Sequence, residues 1–194
     1  MRDSTDLVVR KGKASDVKGL CELYRDVAKI RGGIARTHGE ITEGYIQHIL
    51  ETALKRGLII VAQEKGKSGK LRGAIHAYRP NPKAFSHLLS SLTIVVHPET
   101  QGLGVGRQIF SYFLDTVKSS FPDILRVELF VRESNLRGIL LYETLGFVRE
   151  GRMENRIQRI GGGFEADIYM AWFNPKYKDG ARTSKKKQSS RTGG

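Results

Sequence analysis

The amino-acid sequence predicts an α/β fold: one mixed, mostly antiparallel sheet flanked by helices, with a strand–helix–strand unit at its centre. Two observations carry this. Strand-like apolar runs and helically spaced apolar residues alternate from Leu7 to Phe173, in the order strand, two helices, three strands, helix, strand, helix, two strands. A hairpin-type link near the front requires antiparallel pairing, whereas the helix between the fourth and fifth strands permits a parallel crossover.

Leu7 to Arg10 is a short strand. The helix after it starts at Ser15, the expected N-cap, and spaces Val17, Leu20, Cys21, Tyr24, Val27 and Ala28 on one face. A loop from Arg31 to Thr37 leads to a second helix, capped by Thr42, with Ile46, Ile49, Leu50 and Ala53 on its apolar side. Leu58 to Gln63 and Leu71 to Tyr78 form a hairpin around Gly66 and Gly69, ended by Pro80 and Pro82. The remaining elements are Leu88–Val96 (strand), Gly104–Lys118 (helix), Arg126–Arg132 (strand), Leu136–Leu145 (helix), and closing strands around Phe147–Met153 and Ala166–Phe173. Gly146 reads as a helix C-cap, Phe147 as core, and Gly161 to Gly163 as the turn between the closing strands.

Composition narrows the class. With 194 residues, 39% of them hydrophobic, the chain has material for one domain, placed at residues 1–174. Its longest apolar run is the six residues from Ile168 to Phe173, against roughly 18 for a bilayer span, so no membrane partner is expected. The N-terminal residues lack a secretory layout, and a cytoplasmic location is the expectation. One cysteine, Cys21, permits no internal disulfide and no thiolate metal cluster, and no metal is expected. The net charge of +13 concentrates at the C-terminus: residues 175–194 hold seven Lys or Arg against one acid, with little that is apolar. That segment reads as a disordered basic tail, either merely solubilising or a weak tether for nucleic acid.

The chemistry gathers after Val96, in Gln101-Gly102-Leu103-Gly104-Val105-Gly106-Arg107. Three alternate glycines between a β-branched strand and an amphipathic helix leave backbone N–H groups uncovered at the positive end of a helix dipole, which suits a phosphate. Arg107 is badly placed for that dipole and well placed for a further phosphate oxygen. A nucleoside triphosphatase loop would end Gly-Lys-Ser/Thr, and here Arg107-Gln108 follows. A dinucleotide fold would put G-x-G-x-x-G in its first strand–helix unit, and here four strands precede the glycines.

This loop resembles the Q/R-x-x-G-x-G/A segment of the GNAT superfamily of acyl-CoA-dependent N-acyltransferases. A second block, Asn135-Leu136-Arg137-Gly138 through Tyr142 to Gly146-Phe147, is similar to that family's N-x-x-A-x-x-x-Y-x-x-x-G-F, with Gly138 in place of the usual alanine. The order of elements from Leu7 to Phe173 matches as well. The resemblance implies acetyl-CoA as co-substrate. It would pair its pantetheine arm with the backbone of Ile94, Val95 and Val96, seat its pyrophosphate on Gln101 to Arg107, hydrogen-bond Asn135 along the arm, and bring its sulfur near Tyr142. Such pairing requires the Leu88–Val96 and Arg126–Arg132 strands to splay, as a bulge in the former would allow.

The expected reaction is direct attack of an amine on the thioester, with Tyr142 giving a proton to the departing thiolate. A lysine-like amine is only about 0.04% neutral at pH 7, so a proton must be removed. Two positions that carry a glutamate in some relatives hold Ser90-Ser91 and Phe130 here. The remaining candidates for the base are His76, His87, and Glu128 acting through water, each with a purely structural alternative. Arg36, in the loop that shapes the acceptor pocket in the family, could grip a substrate carboxylate. The expected acceptor is therefore a small-molecule or amino-acid-like amine, with a protein amine (N-terminal or lysine) or a non-catalytic binding module as alternatives, and a homodimer is possible as the family often forms one.

Overall fold

The computed structural model describes residues 7–30, 33–66, 69–159 and 161–178. The strands are β1 (Leu7–Lys11), β2 (Gly57–Glu64), β3 (Leu71–Tyr78), β4 (Leu88–Val96), β5 (Arg126–Arg132), β6 (Val148–Gln158) and β7 (Phe164–Phe173). The helices are α1 (Val17–Ala28), α2 (Glu43–Arg56), α3 (Val105–Ser120) and α4 (Leu136–Thr144). All seven strands join one sheet in the order β1-β2-β3-β4-β5-β7-β6, antiparallel throughout except where β5 runs parallel to β4. The α/β expectation and its element order are borne out. The basic tail from residue 179 onward lies outside the described residues.

Local chemistry explains the element ends. Thr42 caps α2 as expected, its Oγ1 accepting from the Tyr45 amide at 3.1 Å. Ser15 does not cap α1. The chain enters through a 3₁₀ turn, Ala14–Asp16, in which the Asp16 carboxylate accepts from the Lys13 amide at 2.8 Å while Arg10 holds it at 2.7 Å. The ionised Asp16, fixed by a guanidinium, closes the 3₁₀ turn ahead of α1, and the helix then starts from Asp16 rather than from Ser15. Gly146 takes φ +91° after α4, and Phe147 donates back to the Tyr142 carbonyl, as a glycine C-cap requires.

The two sheet faces carry separate cores. On one, Leu20, Tyr24 and Val27 of α1 and Ile46, Ile49 and Ala53 of α2 cover Ile59, Val61, Ala74 and Val95. On the other, Ile109, Phe110 and Phe113 of α3 cover Ile60, Ile75, Val127 and Leu129, and Ile139 and Tyr142 of α4 join them. Burying an aliphatic side chain of this size is worth roughly 1.5–3 kcal/mol, so each face holds its helices mainly by area. α1 and α2 pack over β2, β3 and β4.

The feature that positions the site is a bulge in β4. His76 pairs with Thr93 but Tyr78 pairs with Ser90, so β4 spends three steps where β3 spends two, and Ser91 takes φ +54° at the extra residue. β4 pairs with β5 only at Leu88 and Leu89. Beyond the bulge the two parallel strands part. The splay expected for a strand edge open to a ligand is therefore present. No described helix is long and apolar enough to cross a membrane.

Candidate active site

The open edge of β4 has a defined donor and acceptor pattern. His97 donates to the Arg72 carbonyl at 2.8 Å, so in this antiparallel register the odd-numbered residues of β4 after the bulge exchange hydrogen bonds with β3. Ile94 and Val96 then present their N–H and C=O groups to the gap, whereas the backbone of Val95 is committed to Ala74. The Val96 carbonyl shows this outward aim, since it accepts from Gln101 Nε2 at 3.1 Å.

Past His97 the chain reaches α3 through Gly102 (φ +79°) and Gly104 (φ +80°). A side chain in that backbone region costs roughly 1–2 kcal/mol, and a Cβ at either position would meet no protein atom within 4 Å. α3 begins with no side-chain cap. Among the described residues, no protein acceptor takes the backbone N–H of Gly102, Gly104, Val105, Gly106 or Arg107, while Leu103 bonds weakly to Thr100 at 3.4 Å and Gln108 bonds to Gly104. Several unclaimed donors converge beside open space at a helix N-terminus. This donor set fits the oxygens of a diphosphate, and the bare edge of β4 fits an extended amide chain leading from it.

A cavity of 520 Å³ runs along these groups, walled by the loop glycines, Ile94 and Val96, and by Asn135, Arg137 and Tyr142 across the gap. Asn135 caps α4, its Oδ1 accepting from the Gly138 amide at 3.0 Å, which leaves its Nδ2 as a donor at the gap. Tyr142 is 7% exposed, its ring against Phe110 and Phe147 at centroid distances of 5.5 and 6.0 Å. Burial raises its pKa to about 12, so it holds its proton at neutral pH. Its hydroxyl has no hydrogen-bond partner among the described residues. A second cavity, of 300 Å³, meets the first at a wall they share: Gly33, Ile94, Asn135 and Tyr142. Group transfer between a ligand in each would take place there.

The other residues singled out from sequence fall elsewhere. His76 is 2% exposed beneath α1, its Nδ1 3.0 Å from the Tyr24 hydroxyl, and desolvation pushes it down to about 4; it lines neither cavity. His87 stands at the far end of β4, where its carbonyl accepts from Leu125. Glu128, near the start of β5, is 2.8 Å from Arg126 Nε and lines neither cavity. Arg36 lies over the Tyr45 ring at 4.2 Å with Glu40 at 3.9 Å, outside both cavities. Leu103 lines neither cavity, and the Val105 side chain is buried in the core. Arg107 lines the larger cavity but gives its Nη2 to Thr144 Oγ1 at 2.9 Å, joining α3 to α4. Two further wall residues were not expected from sequence, Arg137 and Asp167. Arg137, a cation in the first turn of α4, carries the same signal that marked Arg107. Asp167, an acid inside a buried strand, lines the smaller cavity, and a buried carboxylate is an informative departure from the usual burial pattern.

Fold and loop together present a helix N-terminus with unclaimed amides, suited to a diphosphate, next to a strand edge open to an extended amide chain. The Acetyltransferase (GNAT) family profile matches residues 22–147, and the chain belongs to that family. A curated relative, spermidine N(1)-acetyltransferase from Vibrio cholerae, is 29% identical over 114 residues, 59% of this chain and 61% of its own length. The match thus spans about three-fifths of that relative. Among solved structures, a putative acetyltransferase from Salmonella typhimurium with its cofactor acetyl-CoA superposes with a TM-score of 0.76 at 17% identity, over 90% of this chain and 98% of the other. A GNAT superfamily phosphinothricin acetyltransferase from Sinorhizobium meliloti in complex with acetyl-CoA gives 0.72 at 18% identity, covering 90% and 91%. At such identities these structures support the fold.

Proposed function

We propose that this protein is an N-acetyltransferase that moves the acetyl group of acetyl-CoA to the primary amine of a small molecule. The observation that carries the reading is the shared wall: the cavity beside the free amides and the smaller cavity meet at Ile94, Asn135 and Tyr142. The naming of the Vibrio cholerae relative for a small polyamine favours a small-molecule acceptor.

Each part of the site has a stated task. The amides of Gly102, Gly104, Val105, Gly106 and Arg107 hold the pyrophosphate, aided by the Arg137 cation. The outward backbone of Ile94 and Val96, with Asn135, holds the arm. An outward N–H of the β4 edge faces the thioester oxygen, where a preorganised donor stabilises developing negative charge. The amine nitrogen attacks the carbonyl carbon, the C–S bond breaks, and Tyr142 supplies a hydrogen bond and then a proton to sulfur. Its raised pKa keeps that donor loaded at physiological pH.

The test is turnover. Acetyl-CoA is incubated with the protein and a panel of diamines, alkylamines, amino acids and peptides, and thiol release is followed together with the mass of the product. Small amines are expected to gain 42 Da, the mass of an acetyl group replacing hydrogen, roughly as fast as thiol appears. Turnover of peptides alone would move the assignment to a protein acetyltransferase, and absence of any turnover with intact coenzyme A binding would leave a binding module.

A further inference from the structure

On the sheet face where α1 and α2 cover β2 to β4, the β5–β7 half carries polar and aromatic side chains, and the smaller cavity opens there. Three strands bring a carboxylate, an aromatic ring and a cation together on it. Asp167 of β7 pairs in register with Arg132 of β5, and its side chain is 10% exposed on the cavity wall. Phe130, two residues earlier on β5, lines the same cavity. From the irregular stretch of β6, Arg156 lays its guanidinium 4.6 Å from the Phe130 ring centroid, with Nε 3.3 Å from Asp167 Oδ2.

A carboxylate beside an aromatic face is a seat for an organic cation, and the cation in it belongs to this chain. Its hold is loose. At 3.3 Å the contact is longer than a close charge-assisted bond of about 2.7–2.9 Å, and Arg156 is 47% exposed on a long side chain. The Arg10–Asp16 pair, at 2.7 Å, shows what a committed ion pair in this protein looks like.

We propose that Asp167 receives the acceptor amine: its carboxylate binds the ammonium in exchange for Arg156, with Phe130 against the cation, and takes a proton from the nitrogen before attack. The acceptor class is a primary alkylamine with an aliphatic body, matched by Ile34, Leu92 and Ile157 on the cavity wall. This rests on the acetyl-transfer reading above.

The environment of Asp167 suits both tasks. Desolvation raises its carboxyl above the usual range, opposed by Arg156 and then Arg132, and Glu165 adds to the rise. Arg132 is itself 3.3 Å from Glu165, which also accepts from Ser134 Oγ at 2.7 Å. Among the described residues, the α1–α2 loop brings Gly33, Ile34 and Ala35 to this cavity, none of them charged. A carboxylate short of water gains most from a cation and is a stronger base than a solvated one. The protons balance. Of the three on the ammonium, one goes to Asp167 and on to solvent, one replaces the proton that Tyr142 gives to sulfur, and one stays on the amide.

The experiment compares wild type, Asp167→Asn, Asp167→Glu and Arg156→Gln, with coenzyme A affinity and melting temperature measured for each. Calorimetry of n-butylammonium into protein saturated with coenzyme A reads the seat apart from turnover. Asp167→Asn is expected to weaken amine binding at least tenfold and to lower kcat/KM about a hundredfold, with coenzyme A affinity unchanged and Asp167→Glu in between. Arg156→Gln is expected to lower the amine KM several-fold by removing the competitor. Amine binding and kcat/KM within twofold of wild type in Asp167→Asn would overturn the proposal, as would a raised amine KM in Arg156→Gln. Failure of wild type to bind coenzyme A or to release thiol sinks the acetyl-transfer reading instead, so the two failures are distinct.

Discussion

Asn135 and Gly138 fit one another: the Asn135 Oδ1 accepts from the Gly138 amide at 3.0 Å, and a Cβ on residue 138 would stand 2.6 Å from Asn135 Nδ2. Glycine at this helical position forgoes about 1 kcal/mol of propensity relative to alanine, and in return the capping side chain keeps this rotamer with Nδ2 at the cavity. Gly138→Ala should change the melting temperature little, because the helix propensity gained offsets the cap lost when the Asn135 amide swings away. It should weaken coenzyme A several-fold, read by calorimetry. Unchanged affinity would show that the arm does not use Asn135 in this orientation.

Tyr142→Phe tests the proton donor. The ring contacts with Phe110 and Phe147 survive the substitution, so folding and coenzyme A affinity should hold. The turnover number should fall about a hundredfold. With the phenol raised to about 12, the wild-type rate should show no basic limb from this group below about pH 10. Unchanged turnover in the variant would remove Tyr142 from the chemistry.

Gly104→Val separates backbone strain from ligand approach. A valine at φ +80° should cost roughly 1–2 kcal/mol of stability, seen in urea melts, although no protein atom lies within 4 Å of its Cβ. Coenzyme A affinity should fall at least tenfold beyond that, because the branched side chain fills the space in front of the free amides. Normal affinity in a folded variant would place the diphosphate elsewhere.

His76 makes stability depend on pH. Its folded pKa, about 4, lies below its ordinary 6.5, so on acidification the unfolded chain takes the proton first. The contribution is complete above pH 6.5 and is lost as pH falls toward 4, by about 3 kcal/mol in all. The stability gap between wild type and His76→Gln should therefore narrow between pH 6.5 and pH 4 in urea titrations. A constant gap would mean that the ring is protonated or solvated in the folded state.

The fold was legible because its signals are local. Thr42, the glycines before α3 and the apolar spacing of each helix act within a turn or two, and each element appears where that chemistry puts it. The bulge in β4 was required by the expected splay, yet Ser90-Ser91 carries no mark of its own; the φ of +54° at Ser91 is imposed by register against β3. Residue roles that depend on register were less legible. His76 and Thr93 pair beneath α1 because of strand parity and a helix supplied by distant residues, which seals the histidine against Tyr24. Asp167 reaches the cavity because β7 inserts between β5 and β6, a pairing with no sequence signature beyond an acid in an apolar strand.

The most direct measurement is an amide-resolved NMR titration of the labelled protein with coenzyme A. The account predicts saturable shifts for the N–H groups of Gly102, Gly104, Gly106 and Arg107 and for Ile94 and Val96 on the edge of β4, with Val95 and its partner Ala74 much less affected. Unmoved loop amides at millimolar coenzyme A, or shifts confined to other parts of the surface, would contradict it.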